Sequence, residues 1–126
     1  MAGLSLEVLD GEFSVHRLDA GAAIPDAVLR SDFCWIGKTD EELSIVCASD
    51  VALPGSSADA GWSCIKVSGP LDLDATGILA GLSSALTGAG IGLLALSTHD
   101  TDYLLVRSPA LPGALAGLKA AGYAVT

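Results

Sequence analysis

The sequence predicts an α+β fold, an antiparallel sheet with helices on one face. Three observations carry this. Short apolar runs with β-branched or aromatic members alternate with turn formers. Two longer stretches, 76–89 and 108–121, repeat apolar residues at helical spacing. From residue 62 onward the elements follow the order β-α-β-β-α-β, the ferredoxin-like pattern.

Taken in order, residues 4–9 (LSLEVL) and 13–18 (FSVHRL) alternate apolar and polar side chains. Asp10-Gly11 between them predicts a tight turn and so a hairpin. Ile24 to Leu29 fits one or two helical turns, with Pro25 where a missing N–H does no harm. Phe33–Lys38 and Leu43–Cys47 read as strands joined by the acidic turn Thr39-Asp40-Glu41-Glu42. Residues 49–61 (SDVALPGSSADAG) form the one convincing loop or linker. The expected domain division follows from it: 1–60 as a first half and 61–126 as a second.

In the second half, Trp62–Val67 alternates and stops at Gly69-Pro70, as a strand does. Ile78, Leu79, Leu82, Leu86 and Ala89 mark the buried stripe of a helix, with Asp72 or Asp74 available as N-cap and Gly88 and Gly90 at its end. Ile91–Leu96 and Tyr103–Val106 are strands around the polar turn Thr98-His99-Asp100-Thr101-Asp102. Ser108-Pro109 reads as a cap plus first-turn proline, Gly122 as a stop, and Tyr123-Ala124-Val125 as a closing strand. Such a half of about 65 residues buries only about 60% of its unfolded surface. The first half, or a second copy of the chain in a homodimer, is expected to cover the rest.

Composition narrows the function classes. Half of the 126 residues are hydrophobic and 17% are charged, enough for a core. Apolar runs fall short of the roughly 18–20 residues of a membrane span, and the first residues show no secretory pattern. Fifteen acids against six scattered basic residues give a net charge of −9, which argues against nucleic acid and anionic lipid. Cys34, Cys47 and Cys64 form no CxxC pair; they are read as structural, in a reducing cytoplasmic setting. His16 and His99 adjoin no cysteine, and no nucleophile motif, P-loop or G-x-G-x-x-G occurs, so no enzyme, cofactor or metal is expected. The aspartate spacing matches no calcium loop. Trp35 and Trp62 are expected in the core or an interface.

The up-down order of strands and helix places the 68–76 loop and the 98–102 turn at one end of the sheet, beside a helix start. A free amino acid suits that place. Its carboxylate wants the N–H donors of a helix N-terminus, and its ammonium wants carboxylates. The candidate ligand-binding residues are Gly69, Asp72, Thr76, Gly77, Ser97, Thr98, His99 and Asp102, with Asp74 and Asp100 at the same rim. Several acids there favour arginine or lysine. Each also has an ordinary role: aspartate as a helix cap or turn former, histidine as a solvated loop residue.

The segments WSCIKVSGPLDL (62–73), Thr76-Gly77, and Leu96-Ser97-Thr98 followed by Thr101-Asp102-Tyr103-Leu104-Leu105-Val106 resemble the ACT domain, a small-molecule-sensing module of amino-acid metabolism. The likeness is to the tandem-ACT subgroup of bacterial proteins related to the animal cytosolic arginine sensors. Glu12-Phe13 and the run from Asp40 to Cys47 extend it into the first half. The resemblance implies a βαββαβ ACT unit, a degenerate N-terminal ACT-like half that lacks a long first helix, and a regulatory site where two ACT units meet. The usual Asp-x-Pro-Gly loop is replaced by Gly69-Pro70-Leu71-Asp72. The rival implication is a purely structural dimerisation module without a small-molecule ligand.

Overall fold

The computed structural model describes residues 4–68, 74 and 76–126. Among them run eight strands and three helices: β1 (Ser5–Val8), β2 (Phe13–Leu18), α1 (Asp26–Leu29), β3 (Cys34–Lys38), β4 (Leu43–Ala48), β5 (Ser57–Val67), α2 (Ile78–Gly88), β6 (Leu94–Ser97), β7 (Asp102–Arg107), α3 (Leu111–Ala120) and β8 (Ala124–Val125). A 3-10 turn at Ser108–Ala110 precedes α3. The chain forms two compact units, one of Gly11–Trp62 and one of Ser63–Thr126 together with the residues up to Asp10.

In the Gly11–Trp62 unit, β4 pairs antiparallel with β3 and β2, and β2 with the first part of β5. Alternate side chains of these strands bury Leu18, Leu43, Ile45 and Cys47 together with Val28 of α1 and Leu53. Phe13 and Phe33 meet edge to face, ring centroids 5.3 Å apart.

In the other unit, β7 pairs with β5 and β6, and the sheet continues from β5 through β1 to β8. The core joins Ile65 and Val67 of β5, Leu104 and Val106 of β7 and Leu6 of β1 to Leu82 and Leu86 of α2, Ala114 and Leu118 of α3, and Tyr123. Each fully buried leucine contributes about 1.5–3 kcal/mol. Both helices end alike. Gly90 and Gly122, with φ of 75° and 98°, turn the chain back so that Ile91 and Tyr123 donate to the carbonyls of Leu86 and Leu118. A residue with a Cβ resists that left-handed turn, so glycine is required there.

Several local expectations fail. Residues 4–18 are not a hairpin: β1 and β2 do not pair with each other, and both run antiparallel to β5, β1 against residues 65–67 and β2 against 57–62. Alternation in the sequence reports a strand but not its partner. β1 is also parallel to β8, through Ser5 opposite Ala124 and Leu6 opposite Val125. The expected linker 49–61 holds a loop only to residue 56; Ser57 to Gly61 begin β5 despite their small polar character. β6 begins at Leu94, not Ile91. The N-cap of α2 is Gly77, not Asp72 or Asp74, and the helix begins at Ile78. Leu79, at the edge of the expected stripe, is 38% exposed. Ser108 caps no helix, because its hydroxyl pairs with that of buried Ser63 at 2.9 Å.

Candidate functional site

The β6–β7 connection is built from its own polar side chains. Ser97 and Asp102 are the last directly opposed pair of the two strands, and the Ser97 hydroxyl donates to Asp102 Oδ1 at 2.7 Å. The Thr98 N–H donates to the Thr101 carbonyl at 2.9 Å, closing the turn. The Thr98 hydroxyl donates to the same carbonyl and accepts from the Thr101 N–H. Hydroxyl residues favour turns for this reason: they satisfy backbone groups that the ladder leaves open.

Thr101 fastens the turn to the rest of the sheet. It is 6% exposed, and its hydroxyl donates to the Val67 carbonyl on the last residue of β5. The chain leaves β5 at Ser68, whose N–H donates to the Ser5 carbonyl at 2.8 Å. The turn therefore sits at the end of β5 from which the chain departs toward α2. The end of β5 and the 98–102 turn are thus neighbours; the rest of the expected convergence concerns the 68–76 loop, of which residues 69–73 and 75 lie outside the described residues.

Around this anchor the other side chains face water. Ser97, Thr98, His99 and Asp100 are exposed, and Asp102 is half-buried. His99 Nδ1 lies 2.8 Å from Asp100 Oδ1, with the two side chains 85% and 72% exposed, so their attraction is screened and contributes little. Thr76 and Gly77 are exposed at the start of α2. Gly77 takes φ of 81° and, as a glycine, offers no side-chain acceptor to the N–H groups of the first turn. Its carbonyl accepts from the Gly81 N–H at 2.9 Å. Gly69 and Asp72 lie outside the described residues.

The arrangement brings Ser97 to Asp102, Thr98 to Thr101 and His99 to Asp100. Carboxylates at a turn are the kind of group that holds a cation, and open N–H groups at a helix start the kind that holds an anion. Among the described residues, the turn pairs no nucleophile with a base. Among the described residues, no group of three His, Cys, Asp or Glu side chains is set to hold a metal. No helix there is long and apolar enough to cross a membrane. Sequence reasoning passed over Thr101, the anchoring residue. Its place beside Asp102 in an otherwise solvated turn hid that it points inward, and only its position one residue before an alternating strand could have told.

An α+β sheet whose residues 57–126 run β-α-β-β-α-β, with a polar turn bound to the end of the first of those strands, defines a ferredoxin-like small domain. A family model of the ACT domain matches residues 57–120, and a second, of an N-terminal domain, matches residues 11–54. The chain belongs to the ACT-domain family. A crystal structure of a protein from Agrobacterium tumefaciens is similar over 100% of this chain and 94% of its own, with 40% identity and a TM-score of 0.90. A Vibrio cholerae protein described as of unknown function and a possible transport protein is similar at 19% identity, over 94% of this chain and 90% of its own, with a TM-score of 0.75. The ligand-free regulatory subunit of aspartate kinase from Thermus thermophilus shares the fold at 13% identity, over 95% of this chain and 97% of its own, with a TM-score of 0.62. The chain matches no curated protein sequence at a significant level.

Proposed function

We propose that this chain is a non-catalytic regulatory ACT module that binds a free amino acid at the end of the sheet where the 98–102 turn meets β5. The observation that carries the reading is the Thr101–Val67 hydrogen bond, which fixes a rim of exposed polar groups beside the exit toward α2. The likeness to a regulatory subunit of aspartate kinase is consistent with a regulatory role. In this reading the ligand ammonium takes the Asp102 carboxylate, Ser97 and Thr98 add neutral hydrogen bonds, and the ligand carboxylate takes the open N–H groups after Gly77. Gly69, Asp72, Thr76 and His99 complete the set. The acidic rim favours arginine or lysine, as the resemblance to the tandem-ACT subgroup related to the arginine sensors implies. Regulation follows from population shift: a ligand that prefers the homodimer raises its share by that difference in affinity.

Thermal-shift and calorimetric titration of the full chain against the twenty amino acids tests this. A ligand at 100 times its dissociation constant should stabilise the fold by about 2.7 kcal/mol. Asp102→Asn should abolish the response and keep the fold. A flat profile to millimolar ligand removes the proposal.

One observation favours the rival reading, a dimerisation module without ligand. The Asp102 carboxylate already accepts the Ser97 hydroxyl within the turn. Light scattering separates the two. An unchanging dimer mass together with no thermal response to any amino acid supports the rival.

A further inference from the structure

Outside the turn, the Gly11–Trp62 unit holds a second arrangement of reactive groups. Cys34, the first residue of β3, is directly opposite Cys47 of β4 in the antiparallel register. Residues opposed in this way have Cα atoms about 4.5 or 5.5 Å apart, according to the kind of pair, and their side chains rise on the same face. A disulfide spans Cα separations of about 4.4–6.8 Å. Both thiols are free here. Burial first, then the neighbouring Cys34 and Asp50, push the Cys47 thiol above its ordinary value.

Access to the two differs. Cys47 is fully buried, whereas Cys34 is half-buried at the start of β3, which among the described residues pairs only with β4. The third thiol, Cys64, belongs to the other unit, is fully buried, and is pushed up to about 12 by that burial. A thiol held protonated in a core is a poor nucleophile toward a dissolved disulfide. Cys47 differs from Cys64 in having its target sulfur on the residue directly opposite it, where proximity offsets a small thiolate fraction. The chain thus presents one reachable thiol, one hidden thiol directly beside it, and one inert thiol.

We propose that Cys34 and Cys47 form a reversible dithiol–disulfide site that reacts with low-molecular-weight disulfides, Cys34 as the attacking thiol and Cys47 as the resolving one. In the first step the Cys34 thiolate attacks one sulfur of R–S–S–R. The S–S bond breaks, a mixed disulfide forms, and one thiolate leaves and takes up a proton. In the second step Cys47 gives up its proton and attacks Cys34 Sγ; the mixed disulfide bond breaks, and the expelled second thiolate takes up the proton. Two protein thiols are oxidised and one small disulfide is reduced to two thiols. The product ties the edge strand β3 to β4.

Incubation of the full chain with oxidised glutathione, followed by intact mass and peptide mapping, tests the site. The chain should lose two hydrogens, yield a linked peptide joining Cys34 to Cys47, and revert with dithiothreitol; Cys64→Ser should behave the same. Cys47→Ser should stop at the mixed disulfide, with one glutathione on Cys34. Cys34→Ser should stay unmodified, and it keeps the test intact should the Cys47 variant fail to fold. Accumulation of the mixed disulfide in the unsubstituted chain, or a chain that stays fully reduced, overturns the proposal.

Discussion

The Thr101 hydroxyl donates to the Val67 carbonyl, joining the β6–β7 turn to the end of β5 across 34 positions of sequence. Val67 is fully buried and Thr101 nearly so, so neither partner has water as an alternative. A buried acceptor left unpaired costs about 1–3 kcal/mol. Thr101→Val keeps the shape and removes the donor. It should lower stability by about that amount in urea unfolding, while Thr101→Ser, which keeps the hydroxyl, should lose less. If the amino-acid proposal holds, Thr101→Val should also weaken ligand binding without touching any ligand group.

Gly117 of α3 sets how closely the helices approach. A Cβ placed there would lie 3.1 Å from Ala89 Cβ and 3.5 Å from the Ala85 carbonyl oxygen. Alanine in a helix interior is favoured over glycine by about 0.8–1.0 kcal/mol, and this mild crowding works against it. Gly117→Ala should therefore be near neutral. Gly117→Val adds two more methyl groups against backbone and should destabilise by about 1–3 kcal/mol. Thermal unfolding of both variants checks the pair.

Much of the second unit was readable beforehand, because its signals are local. Gly90 and Gly122 ended helices as expected, and the polar run from Thr98 to Asp102 joined two strands. What escaped was set by partners distant in sequence. Leu6 packs with Ile65, Leu104 and Leu118, a choice that no pattern within residues 4–9 could express. Ser57 to Gly61 become strand because β2 offers a free edge to pair with, not because of propensity. At the site, the turn was legible from its residue types, but the inward direction of Thr101 depended on an acceptor on another strand. Ser108 matched a helix cap in type, yet its hydroxyl went to Ser63.

Gly37 carries the indole of Trp35. A Cβ on Gly37 would sit 2.8 Å from Trp35 Cη2 and 2.9 Å from Cζ3, closer than such atoms approach. The two residues share one face of β3, two positions apart. Gly37→Val should displace the ring into water and shift its fluorescence to longer wavelength. A Trp62→Phe background leaves Trp35 as the only reporter. Because valine also suits a strand better than glycine, stability should change by less than about 1 kcal/mol. An unshifted spectrum would mean that the indole does not rest on the glycine.

His16 gives the Gly11–Trp62 unit a dependence on pH. The side chain is 6% exposed, its Nδ1 lies 2.9 Å from Ser56 Oγ, and its Nε2 is buried with no hydrogen-bond partner among the described residues. A neutral ring tolerates that position better than a charged one, and burial accordingly lowers its pKa below 6.5. The sign follows. As pH falls through about 6.5 the unfolded chain takes up a proton at this histidine while the folded chain does not, so the unfolded state binds more protons and stability falls. Well above that pH both states are neutral and the contribution is constant; below the depressed folded value both are charged and the loss is complete. Urea midpoints should hence begin to decline as pH falls below about 6.5, before ordinary carboxylates titrate. His16→Gln, which cannot take the proton, should flatten that slope. An equal slope in both proteins would place the titration elsewhere and show that His16 accepts its proton in the folded chain as readily as in the unfolded one.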